Sequence, residues 1–305
     1  MSFFNLKIAA IHIFQIVLGT LGNFSLLIHY ICLYFHGDRS RSTDLILRHL
    51  TVANSLIILS NRIPKTMATF GLKDFLNDFE CKLVLYVHRV ARGVSIGSTC
   101  LLSVFQAITI SAWDSRWAGL KLTALKYIGP SNNLSWALNM LINAVLPIYM
   151  SGKMSNKTIT KKTNLGYCSF PFPDNRRFTL FAVLISSHDI LCLGLMSWAS
   201  GSMVFILYRH KKRVGHIYRN SLPHRSSPET RASQTILVLV STFVSFYALS
   251  FISFVYLAVV ENSGWWLKNT SAFITACFPT VSPFILMNSD SRILKLHCGF
   301  SGRNA

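Results

Sequence analysis

The chain has 305 residues, of which 51% are hydrophobic and only 13% charged, with a formal net charge of +19. Ordinary soluble domains carry about a quarter charged residues, so this composition excludes a water-soluble globule. The positive charge sits between apolar stretches instead of along one soluble face, so it speaks for membrane topology and anionic lipid and against nucleic acid.

Crossing a hydrocarbon core of ~30 Å takes roughly 20 helical residues. Stretches of that order recur at Leu6–Phe35, Leu45–Phe70, Val84–Ala112, Leu134–Met150, Phe178–Tyr208, Ala232–Val260 and Asn269–Met287. The expected fold is an all-α membrane protein: one seven-transmembrane helix bundle over residues 1–305, with 288–305 as a cytoplasmic tail. No short apolar core with a small-residue cleavage site opens the chain, so the first span is expected to direct insertion.

Asn23 in the first span and Asn54 in the second are mid-span amides, suited to hydrogen bonds between helices. Arg48 and His49 stand at the start of the second span, and Arg62 and Lys65 near its outer end, where they are expected at the rim of a pocket.

The third span raises the central question, because YVHRVARGVSIGS places ionisable groups at membrane depth, where they are costly and mark function or pairing. His88, Arg92, Ser95 and Thr99 follow i, i+4, i+7, i+11 spacing and share one helical face, with Arg89 adjacent. Arginines so placed can snorkel to lipid head groups; with hydroxyls beneath them they can instead line a ligand cavity whose cationic wall favours an anionic or strongly polar end. Inward of Thr99 the segment continues with Leu101, Leu102, Val104 and Phe105. A channel or transporter would carry the polar stripe further.

The fifth span holds His188 and Asp189, the latter the one acid deep in any expected span. Its natural partner is Arg89 or Arg92. Between spans five and six, Arg209, Lys211, Lys212, Arg213, Arg219, Arg225 and Arg231 face one acid, Glu229, which marks a cytoplasmic loop and places the N-terminus outside. The loop between spans four and five is also basic, but its Asn156-Lys157-Thr158 is a glycosylation sequon, usable only on the lumenal side. Cys81 and Cys168 fall in loops that the same topology exposes to an oxidising compartment, close enough to tie the longest outer loop over the bundle.

No Walker loop, GxSxG, HExxH or paired Cys-x-x-Cys site is present. Neither catalysis, a cofactor nor a metal site is expected. Pro279 and Pro283 in CFPTVSPFILM weaken the last helix where a moving bundle would hinge.

Several long segments carry a resemblance: LGNFSLLIHYICLYF, DLILRHLTVANSLIILS, CKLVLYVHRVARGVSIGSTCLLSVFQAITIS, KYIGPSN, LGYCS, HDILCLGLMSWASGSMVFILYRHKKRVGHI, SSPETRASQTILVLVSTFVSFY and NTSAFITACFPTVSPFILM. Across nearly the whole chain these resemble the vomeronasal type-1 receptor family. The third span ends in Ile110-Ser111-Ala112, without the Asp-Arg-Tyr of the large rhodopsin-like group, and the seventh reads Ser282-Pro283-Phe284 without Asn-Pro-x-x-Tyr. Within the family, Glu80 and Ala91 replace expected glycines, and Ala112-Trp113-Asp114 replaces a Pro-Arg-type start to the second inner loop.

The resemblance implies a multi-pass plasma-membrane chemosensory receptor. It would bind a pheromone-like small molecule and activate a heterotrimeric G protein of the inhibitory class. The family's bridge is matched at Cys81 with Cys168 and its glycosylated loop at Asn156. On this reading His88, Arg89, Arg92, Ser95, Thr99, His188 and Asp189 are the candidate ligand contacts, and Arg48, Arg116, Arg209, Lys211, Lys212 and Arg213 the candidate G-protein surface. The altered second inner loop keeps open a receptor-shaped protein that no longer signals.

Overall fold

A computed structural model describes residues 3–35, 42–72, 75–111, 118–145, 147, 162–164, 169–171, 175–217, 228–259 and 265–289. Among them are seven helices: α1 (Phe3–Phe35), α2 (Ser42–Thr69), α3 (Asp78–Ser111), α4 (Ala118–Asn143), α5 (Asn175–Ile217), α6 (Pro228–Val259) and α7 (Trp265–Ser289). Between α4 and α5, strands β1 (Lys162–Asn164) and β2 (Ser169–Pro171) form an antiparallel pair with Thr163 opposite Phe170.

Local chemistry fixes several helix ends. Asn77 and Glu80 close a reciprocal capping box on α3: the Asn77 amide donates to Glu80 Oε2 and the Glu80 amide to Asn77 Oδ1, both at 2.9 Å. Glu80, which stands where a glycine was expected, therefore has a local role. At the end of α2, Gly71 takes φ 101°, the Gly71 amide bonds to the Ala68 carbonyl and the Leu72 amide to the Met67 carbonyl. That paired pattern is a Schellman stop, and glycine supplies its left-handed residue without a Cβ clash.

The helices pack around α3, which contacts α2, α4, α5 and α6, while α7 closes against α1, α2 and α6. Burial follows this order: 72% of the apolar window of α3 is buried, against 17% of that of α5. The outward faces of α1 and α5 expose Phe14, Leu21, Ile28, Ile190, Leu195, Trp198 and Phe205, an apolar surface suited to lipid. Among the described residues α1, α3, α5 and α7 each contain a segment long and apolar enough to cross a membrane, and α6 contains a shorter one, Gln234–Ser250.

Amides and small residues join the helices internally. Asn23 Nδ2 donates to the Pro279 carbonyl at 2.9 Å, linking α1 to α7. Asn54 Nδ2 donates to Ser282 Oγ at 3.0 Å while its Oδ1 accepts from Ser95 Oγ at 2.8 Å, so one amide joins α2, α7 and α3. At Gly93, α3 and α4 approach so closely that an added Cβ would lie 1.7 Å from Asn139 Oδ1.

Three boundaries differ most from those expected by hydropathy. Helix α3 begins at Asp78 instead of Val84, so Cys81 lies within it and not in the expected loop. Helix α4 begins at Ala118 instead of Leu134, because the polar stretch KLTALKYIGPSNN is helical through Pro130, and it is described to Asn143. Helix α5 runs on past Tyr208 to Ile217, carrying basic residues beyond the apolar segment.

Candidate functional site

Two adjoining recesses meet at Arg92. The first, of about 330 Å³ including its open mouth, lies between α3, α4 and α5 and is lined by Arg89, Arg92, Asn139, Asn143, His188 and Asp189. The second, of about 450 Å³ on the same measure, lies between α2, α3, α6 and α7. Its wall combines His88, Arg92, Ser95 and Thr275 with Phe243, Tyr247 and Phe278. One residue on the central helix thus faces both.

Arg92 is held from two sides. Its Nη2 lies 4.0 Å from Asp189 Oδ2, and its guanidinium carbon stands 5.0 Å from the centroid of the Tyr247 ring. The Tyr247 hydroxyl donates to Asp189 Oδ2, which closes a triangle across α3, α5 and α6. On the other side of Asp189, His188 Nδ1 lies 3.4 Å from Oδ1. The aromatic wall continues as Tyr247 stacks on Phe243 at 5.9 Å and Phe243 meets Phe278 edge-on at 4.6 Å.

The charge balance of this region is uneven. Arg89 and Arg92 face the recesses together, and among the described residues Asp189 is the one carboxylate lining either. A single acid cannot neutralise two guanidiniums, so the region retains a cationic excess able to pair with an anionic group. Around it the phenyl and phenol rings offer an apolar enclosure, the usual pairing of a few placed polar groups with an apolar wall.

Of the expected contacts, His88, Arg89, Arg92, Ser95, His188 and Asp189 line one recess or the other. Thr99 lines neither: it is fully buried, and its hydroxyl turns back onto the Ser95 carbonyl at 2.8 Å. Arg62 departs from its expected place on an outer rim, being 0% exposed with its guanidinium on the Ala272 and Phe273 carbonyls of α7. Sequence reasoning misses Tyr247, Phe243 and Phe278, whose sequence neighbours on α6 and α7 carry no charge to mark them.

Cys81 is disulfide-bonded. Cys168, Asn156 and Arg116 lie outside the described residues. On the opposite side of the bundle, the Arg48 guanidinium stacks over Tyr34 at 5.2 Å, and Arg209 and Lys212 are exposed on α5. Lys211 and Arg213 lie on the same helix.

A bundle of long apolar helices around a recessed polar pocket has the architecture of a multi-pass membrane receptor. Residues 6–298 match the vomeronasal organ pheromone receptor family. Human vomeronasal type-1 receptor 2 is 63% identical over 289 residues, covering 94% of this chain and 73% of that protein. Human vomeronasal type-1 receptor 4 is 53% identical over 281 residues, 92% of this chain and 93% of that one. The likeness extends to olfactory receptor class A-like protein 1 of Danio rerio, 30% identical over 280 residues, 92% of this chain and 88% of that one. The chain belongs to the vomeronasal type-1 receptor family, and is a multi-pass protein of the plasma membrane with a chemosensory receptor role.

Proposed function

We propose that the chain is a single seven-span receptor domain with its N-terminus outside, and that a small pheromone-like molecule binds at Arg92 to activate an inhibitory-class G protein. The observation carrying this reading is the position of Arg92, which faces both recesses and touches groups on two further helices. The ligand class is a molecule with an apolar or aromatic body and an anionic or strongly polar end. The end pairs with Arg92 and Arg89, and the body lies against Phe243, Tyr247 and Phe278. His88, Ser95, His188 and Asp189 complete the contacts.

Activation follows from competition. A ligand anion that takes Arg92 from Asp189 and the Tyr247 ring leaves only the Tyr247–Asp189 hydrogen bond of the triangle, and so releases α3 from its tie to α5 and α6. The shift can be no larger than the ligand's differential affinity for the two arrangements. On the inner side Arg48, Arg116, Arg209, Lys211, Lys212 and Arg213 form the coupling surface. On the outer side a Cys81–Cys168 bridge holds the loop that carries a glycan at Asn156.

The test is ligand-dependent G-protein activation in cells expressing the chain, across acidic metabolites, steroids and volatiles, with surface level quantified. A saturable response lost on blocking inhibitory-class G proteins is expected. Silence across the panel at full surface expression would favour a receptor-shaped protein that no longer signals, in keeping with Ala112-Trp113-Asp114 at the start of the second inner loop.

A further inference from the structure

A second cationic group lies on α2, apart from the Asp189 triangle. Arg62 is 0% exposed, and its Nη2 donates to the carbonyls of Ala272 and Phe273, the latter at 3.1 Å. Its Nε and Nη1 are enclosed and have no hydrogen-bond partner among the described residues. Gln15 Nε2 donates to the same Phe273 carbonyl at 3.4 Å, which brings the ends of the α1 and α2 side chains together over α7. His12, 2% exposed and one turn from Gln15 on α1, likewise has an unpartnered Nδ1.

The electrostatic surroundings are positive. Lys65 stands one turn from Arg62 on the same face of α2, which sets a second cation beside it. Among the described residues no carboxylate acts on Arg62. An enclosed guanidinium with unused donors and no counter-charge costs several kcal/mol, and a fold that keeps one in its interior gains by admitting an anion. With the guanidinium fully enclosed, the partner that suits its unused donors is a small ion and not an organic ligand.

We propose that Arg62, with His12 and Lys65, holds one small inorganic anion, such as chloride, between α1, α2 and α7. The anion completes the unused face of the guanidinium and holds α1 and α2 against α7. Arg62, His12 and Lys65 line neither recess, and the proposal does not depend on the ligand assigned to them.

The test uses the purified full chain in nanodiscs, with thermal unfolding followed as potassium gluconate is replaced by potassium chloride or bromide at constant ionic strength. The wild type is expected to show a saturating rise in midpoint with either halide. Arg62→Gln is expected to abolish that rise. Should Arg62→Gln fail to fold, Lys65→Gln decides, with a half-saturating halide concentration raised about fivefold by loss of one nearby charge. Coincident halide and gluconate curves in the wild type, as water alone at the site would give, overturn the proposal. So does a rise that never saturates, or one that survives unchanged in Arg62→Gln or, where that variant does not fold, in Lys65→Gln.

Discussion

Arg92 on α3 and Asp189 on α5 face each other at 4.0 Å, with the Tyr247 ring beneath the guanidinium and its hydroxyl on the carboxylate. The pair is long for a charge-assisted bond, and the arginine side chain remains 32% exposed. At that length, and with the arginine partly open to the recess, the pair is weak and open to exchange. Asp189→Asn is therefore expected to leave surface expression near that of the wild type. It is also expected to lower the half-maximal concentration of carboxylate ligands by about threefold to tenfold, as a competitor worth ~1 kcal/mol is removed. Dose–response curves normalised to surface level check this, and a raised half-maximal concentration would count against the competition.

The close approach of α3 and α4 at Gly93 yields a prediction about assembly. A Cβ there would overlap the Asn139 amide, which is itself buried and bonded to the Ser135 carbonyl at 2.8 Å. Gly93→Ala should cost roughly 1–3 kcal/mol by overpacking and sharply lower surface expression. Adding Asn139→Ala should restore much of the loss. A double variant no better than the single one would show that the two residues do not meet.

Asn54 joins three helices through Ser95 and Ser282. Hydrogen bonds between membrane helices average about 0.6 kcal/mol each, so Asn54→Ala should cost on the order of 1 kcal/mol. The readout is the thermal unfolding midpoint of the purified receptor. Ser282→Ala alone should give a smaller loss, and little further loss when combined with Asn54→Ala.

The outer loop supplies a topological test. Cys168→Ser is expected to impair both surface level and ligand response, since on the proposed pairing Cys81 at the capped start of α3 would lose its bridge. Asn156→Gln is expected to abolish a glycosidase-sensitive mass shift while leaving the response intact. Peptide mapping under non-reducing conditions should join Cys81 to Cys168. A glycan-free wild type in mammalian cells would argue against placing that loop outside.

Much of the site is legible in the sequence because charge is scarce in this chain. Arg89, Arg92 and Asp189 stand out against apolar neighbours, so a pairing of Asp189 with one of the two arginines follows from the rarity of charge at membrane depth, and the structure selects Arg92. The bridging roles of Asn23 and Asn54 follow in the same way. The aromatic wall is not legible. In helices that are apolar all round, period 3.6 no longer separates a residue facing a cavity from one facing lipid, and Phe243 looks like any other phenylalanine of α6. The start of α4 escapes for the converse reason, because a polar helix gives no hydropathy signal. Thr99 shows the limit of a shared face: the stripe is real, yet its last hydroxyl satisfies its own helix. Sequence puts Arg62 on an outer rim because it shows that a charge lies near a span end, and not that two carbonyls of another helix will enclose it.

The most direct test of the central claim compares the responses of wild type and Arg92→Gln to a carboxylic acid and its methyl ester, at matched surface level. The wild type should prefer the acid by about tenfold or more, the worth of a hydrogen bond to a charged group, and the Arg92→Gln variant should respond to the two alike. An unchanged preference for the acid in the variant would contradict the assignment of Arg92 as the ligand's counter-charge.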